Sequence, residues 1–158
     1  MASPGLGVRN IICDTGVAEA DRLPVAAVME ILGLDRQQFY EWRDLGLLGP
    51  RKRRELLSRA DARELAVLTE LRRAIGGTKA AVAYLQIRAE LVVRDLRDRT
   101  EIIWIDQDRW ASLIGPPEQY MEAARRGRSV LVISVHEEVQ RVLDAFDRDA
   151  AGRKQSKR

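Results

Sequence analysis

Over residues 23–75 apolar side chains recur at helical spacing in three blocks, and each break between blocks carries its own stop and start signals. The first block, LPVAAVMEILGL, sets Val25, Val28, Ile31 and Leu32 on one side. Pro24 suits a first helical turn there, and Gly33 suits a left-handed stop. Asp35 is placed to cap a second helix, RQQFYEWRDLG, whose buried side is Phe39, Trp42 and Leu45 and whose end is Gly46. A Gly-Pro turn then leads into four consecutive cations, Arg51, Lys52, Arg53 and Arg54, which predict either a two-stranded wing or a basic loop. Ser58 and Asp61 form a capping-box-like pair ahead of a third helix striped by Leu65, Leu68, Leu71 and Ile75 and closed by Gly76-Gly77.

Past Gly77 the segment TKAAVAYLQIRAELVVRDLRD carries Val82, Leu85, Ala89, Val92 and Leu96 in steps of three and four, a helical seam that either pairs two protomers or packs on the elements that follow. The period then changes. EIIWID reads as a strand, RWASLI as its hairpin partner across DQD, PEQYMEAARRG as a short helix, SVLVISV as a further strand and HEEVQRVLDAFDRD as a closing helix. The expected fold class is mainly α (α+β), an N-terminal winged helix-turn-helix followed by a small α+β module. Its parts are a flexible segment over 1–22 with a short strand at 8–13, a winged helix-turn-helix over 23–78, a connecting helix over 79–98, the α+β module over 99–149 and a basic disordered tail over 150–158.

Composition narrows the chemistry. The chain has 158 residues, 46% of them hydrophobic, enough for a real core. Its single Cys, Cys13, forms no internal disulfide and belongs to no Cys/His cluster, so zinc fingers and thiolate metal sites built from this chain alone are excluded. No apolar run reaches the ~18 residues of a membrane span, and the N-terminus lacks the order of a signal peptide, so a soluble cytoplasmic protein is expected. The net charge of +3 is small, but it is unevenly spread: residues 23–79 carry eleven cations against eight anions, residues 80–149 ten against thirteen, and residues 150–158 four cations and no anion. A basic half and a mildly acidic half imply different partners.

A short helix bracing a second one lets the second lay its exposed side in the DNA major groove, while an adjacent cationic loop holds phosphates. The side opposite Phe39 and Trp42 carries Arg36, Gln37, Tyr40 and Arg43, with Gln38 beside them. Arginine forks onto guanine and glutamine onto adenine. Arg51, Lys52, Arg53 and Arg54 complete the candidate DNA-binding set.

The segment LPVAAVMEILGLDRQQFYEWRDLGLLGP resembles the DNA-binding region of the MerR superfamily of bacterial regulators. Arg36 matches the basic residue that opens that family's recognition helix, and Trp42 its second aromatic. LLSRADARELAVLTELRRAIGG is similar to the helix after the wing, with Ser58, Asp61 and Leu65 on the family's serine, aspartate and leucine. The likeness covers residues 23–88. Tyr40 and Glu41 depart from the family's pattern. The resemblance implies a dimeric, sequence-specific transcription regulator on double-stranded DNA. A second reading is an antitoxin-like or adaptor protein whose residues 99–149 grip a protein partner, and a third is an excisionase-like architectural protein.

Nothing in the sequence predicts an enzyme, a cofactor or a metal site. His136 lies at a strand-to-helix junction without a nucleophile motif, and Asp106 and Asp108 read as a hairpin turn. Trp104, Trp110 and Tyr120 serve either a small core or a pocket in the C-terminal module.

Overall fold

The computed structural model describes residues 21–48, 56–93, 100–113 and 118–156. They form a mostly helical molecule with two small antiparallel sheets. The expected strand at 8–13 and the cations at 51–54 lie outside the described residues.

The chain enters as a strand, β1 (Arg22–Pro24), which pairs with β2 (Leu56–Ser58) so that Leu23 sits opposite Leu57. Helical periodicity starts at Leu23 and the segment 1–22 is expected to be flexible, but the chain is a strand over Arg22–Pro24 and the helix starts at Val25. Pro24 disfavours helical geometry in the residue before it, and burial of Leu23 against Leu57 fixes the extended choice. Pro24 itself (φ −57°, ψ 140°) is the N-cap of α1 (Val25–Leu32). Asp21 is held by Arg59, Nε to Oδ1 at 2.7 Å, and the same guanidinium reaches Asp147 at 2.7 Å.

Val25, Val28, Met29 and Leu32 form the buried side of α1. Gly33 (φ +62°) ends it, its N–H donating to the Glu30 carbonyl, while the Leu34 N–H returns to the Met29 carbonyl at 2.9 Å. Two distant arginines satisfy the orphan carbonyls of this helix end: Arg73 Nη2 donates to Leu32 O at 2.6 Å and Arg141 Nη2 to Ile31 O at 2.9 Å.

Asp35 caps α2 (Arg36–Asp44), accepting from the Gln38 N–H at 2.8 Å. Phe39 and Trp42 are buried as expected, but Leu45 is 67% exposed, which corrects its assignment to the core. Helical phase is lost at that point. Gly46 (φ +71°) turns the chain, and Leu47 and Leu48 enter the core instead, with the Leu47 N–H on the Trp42 carbonyl.

The centre of the molecule is α3 (Arg59–Ile75), opened by the expected capping box: the Asp61 N–H donates to Ser58 Oγ, and the Ser58 N–H to the Asp61 carboxylate at 3.1 Å. It buries Ala62, Ala66, Val67 and Thr69 as well as Leu65, Leu68 and Leu71, because α4 (Gly77–Val93) and α6 (His136–Gln155) pack on different sides of it; Ile75 is half-buried. Thr69 makes its buried hydroxyl harmless by donating to Leu65 O at 2.7 Å. On α4 the inward face is Ala80, Ala83, Tyr84, Ile87 and Leu91. The buried Tyr84 hydroxyl donates to Glu64; burial and that carboxylate push its pKa far above the ordinary tyrosine value.

The second sheet has the order β4-β3-β5, all antiparallel. β3 (Glu101–Ile105) and β4 (Trp110–Leu113) form the expected hairpin, with Arg109 (φ +47°) in its turn. After α5 (Glu118–Arg125), β5 (Val130–Ser134) returns beside β3. Ile102, Trp104, Leu113 and Ile133 join the main core, whereas Ile103, Ile105 and Val130 meet Ala123 of α5 on the other face. The buried cluster is continuous from Leu23 to Phe146.

The final correction concerns the tail. Helix α6 runs to Gln155 rather than ending near residue 149, because Glu137 and Glu138 lie at its positive end, Arg153 and Lys154 at its negative end, and Arg153 pairs with Asp149 at 2.9 Å. Among the described residues no helix is long and apolar enough to cross a membrane.

Candidate nucleic-acid interface

Helix α2 is fastened from behind by Phe39 and Trp42, and the Arg72 guanidinium lies 6.0 Å from the Trp42 ring centre. Around that buried side Arg36, Gln37 and Arg43 are all exposed, Gln37 across the helix from the buried pair and the two arginines on the flank beside Phe39. Tyr40 is half-buried between the two environments. Its ring meets Phe39 edge-on, centroids 5.7 Å apart, and the Arg43 guanidinium covers it at 4.5 Å. The Arg43 guanidinium is thus steadied on an aromatic face at the exposed side of α2.

Two carboxylates share this surface. Glu41 accepts from Gln37 Nε2 at 3.1 Å, and Asp44 lies 3.8 Å from Arg43 Nε. Neither belongs to the row expected from the sequence; for Glu41 the available signal was its spacing of four from Gln37, while Asp44 has no such signal. Gln38 is half-buried and contributes its backbone N–H to the Asp35 cap, so it stands apart from the outward row. Leu45, at the end of α2, is an exposed apolar group. Arg51, Lys52, Arg53 and Arg54 belong to the undescribed stretch between Leu48 and Leu56.

The seam residues do not form one buried stripe on α4. Val82 is half-buried against the cluster, Leu85 is 57% exposed and Ala89 is exposed; the Val92 side chain and Leu96 are outside the described residues. In the C-terminal region Trp104 is core, its Nε1–H donating to Asp106 at 3.1 Å. Lys79 Nζ reaches the same carboxylate at 2.5 Å, and these two donors hold the Asp106 pKa below its ordinary value. Trp110 is 40% exposed and, with Ile105 and Ala123, lines an open groove of about 350 Å³ rimmed by the pairs Arg126–Glu122 and Arg128–Asp108. The Tyr120 side chain lies outside the described residues. His136 opens α6, half-buried, and among the described residues no group of His, Cys, Asp and Glu is arranged to hold a metal.

Neither a protein-family model nor a curated protein matches the chain.

Proposed function

We propose that this chain is a cytosolic, sequence-specific DNA-binding transcription regulator of the MerR type, a binding protein rather than an enzyme. Helix α2 would lie in the major groove with Arg36, Gln37, Tyr40 and Arg43 toward the base edges, and Arg51, Lys52, Arg53 and Arg54 would hold phosphates. The observation that carries the reading is a helix anchored by two buried aromatics whose Arg36, Gln37 and Arg43 are exposed, with the Arg43 guanidinium over the Tyr40 ring. The Gln37–Glu41 contact supports a selective rather than indiscriminate surface, because a carboxylate beside the reading residues repels phosphate wherever the base edges do not match.

The test is enrichment of binding sites from random duplexes, followed by gel-shift titration. Arg43→Ala should cost about 1–3 kcal/mol on the selected site and relax its sequence preference. Replacing the four wing cations by Gln should weaken every sequence alike and flatten the salt dependence. Failure to enrich any sequence, or unchanged binding by both variants, would sink the assignment.

The adaptor reading is favoured by a separate observation, the groove beside Trp110. An exposed indole between two ion pairs fits a protein partner better than it fits DNA. A complex recovered with the native protein and lost in Trp110→Ala, with DNA binding kept, would place that partner there.

A further inference from the structure

The three-stranded sheet has two edges, and the chain treats them differently. Along an antiparallel strand the N–H and C=O of successive residues point alternately toward and away from a given neighbour. The Val135 N–H donates to the Thr100 carbonyl at 3.2 Å, in step with a register that sets Ile133 opposite Ile102 and Leu131 opposite Trp104. Leu131, Ile133 and Val135 thus bond toward β3, and Val130, Val132 and Ser134 turn their backbone groups outward. By the same alternation Ile103 and Ile105 bond toward β4, which leaves Ala111 facing out on the far edge.

That far edge lies against α4 and is tied to it. The Ala111 N–H donates to Gln86 Oε1 at 2.7 Å, and Gln86 Nε2 donates to the Arg109 carbonyl at 2.8 Å, so one side chain of α4 takes both backbone groups. Among the described residues nothing does the same for Val130, Val132 and Ser134. Strand edges are ordinarily blunted by a charge, a proline, a bulge or a covering element. VLVIS contains no charge and no proline, and its five pairs with β3 run without a bulge. Its exposed side chains are apolar on both faces: Leu131 is 41% exposed on the face turned toward the main core, and Val132 is 46% exposed on the other.

We propose that the edge of β5 pairs with β5 of a second copy of this chain, joining the two sheets into one across a two-fold axis. The strand is complementary to itself in the antiparallel sense. With Val132 opposite Val132, Val130 meets Ser134, so every outward-facing residue meets another outward-facing residue. Val132 then covers its counterpart on one face, and Leu131 covers Ile133 on the other. Charge selects the same orientation. The strand is entered from Arg125, Arg126 and Arg128 and left toward Glu137 and Glu138, so antiparallel pairing brings a basic end to an acidic one, whereas parallel pairing would set like beside like. The α4 surface is the poorer candidate, because around Leu85 and Ala89 it carries Gln86, Arg88 and Glu90, and Gln86 is already committed to β4. The inference stands apart from DNA binding. A monomer that binds DNA would remove it and leave the proposed function, and a dimer without DNA affinity would do the reverse.

The experiment is light scattering on the full chain over a concentration series, with circular dichroism to confirm folding. Val132→Pro removes an outward N–H and no ladder bond to β3; Val132→Lys places two cations at the axis and keeps the backbone intact. Wild type should dimerise, and both variants should raise the dissociation constant by about tenfold or more, the size expected for losing ~1.4 kcal/mol or more of pairing energy. Leu85→Glu should leave it unchanged. A wild type that stays monomeric overturns the proposal, as does a folded Val132→Lys that dimerises as wild type. If Val132→Pro does not fold, Val132→Lys alone decides.

Discussion

The helical head and the three-stranded sheet share one core but are fastened to it by different means. The sheet is held mainly by apolar side chains, with Ile102, Trp104, Leu113 and Ile133 set into the cluster, and Gln86 and Lys79 of α4 add short polar ties to its hairpin. The head adds long cationic side chains that reach across the molecule. Arg73 and Arg141 close the end of α1, and Arg59 ties Asp21 to Asp147. An apolar attachment depends little on salt or on a single atom, whereas a guanidinium on a carbonyl is directional and can be cut by one substitution. The angle at which α1 supports α2 rests in part on a few such contacts.

The largest effect that tests this contrast is Trp104→Ala, which should destabilise the protein by about 3–5 kcal/mol. Because the buried cluster is continuous, the head and the sheet should melt together in amide exchange; separate transitions would break the idea of a shared core. Arg73→Met keeps the apolar stem and removes the donors. The cost should be about 1 kcal/mol, kept small by partial exposure of the ion pairs to Glu70 and Glu138. Exchange protection should fall at Gly33 and Leu34 and hold at Ile102 and Ile133; an equal loss at all four would mean that the arginine does not act locally. Ser58→Ala should cost about 0.5–2 kcal/mol through the lost cap of α3, measured by urea titration.

The smallest expected effect is a titration. Lys79 and Trp104 depress the Asp106 pKa, so whatever stability this contact gives is present above the unfolded-state pKa and lost as pH falls through the lower folded value. Carboxyl NMR should place Asp106 below an ordinary aspartate, and Lys79→Met should move it up; no movement would remove Lys79 as the cause.

Where a residue acts through its own local geometry, the sequence was readable. Asp35, Ser58 with Asp61, and Gly33 announced helix ends that the structure places as expected, and DQD announced a turn between two β-branched runs. Legibility failed where the outcome depends on something distant or on helical phase. β1 is three residues long and has no period of its own; its partner β2 lies beyond two helices. Leu45 is turned out and Leu47 buried because a single left-handed glycine between them resets the direction of the chain. On α4 two apolar stripes were available, and the chosen one, with Tyr84, is the one whose hydroxyl finds Glu64 on α3, a partner invisible to periodicity. The same limit applies to the interface. The buried pair on α2 followed from spacing, but the exposure of Arg36 and Arg43 on its flank, the Arg43 guanidinium over Tyr40 and the grip of Glu41 on Gln37 needed coordinates.

Arg59 bears on how the molecule assembles in time. Its guanidinium joins a residue at the start of the described chain to one near its end, and it sits over the Phe146 ring at 5.4 Å. Contacts between such remote positions must close a long loop before they return any free energy, so they form late. Helix α3, bearing Arg59 in its first turn, can nucleate locally and wait. One residue on the central helix thus carries two of the longest loop closures in the molecule, to Asp21 and to Asp147.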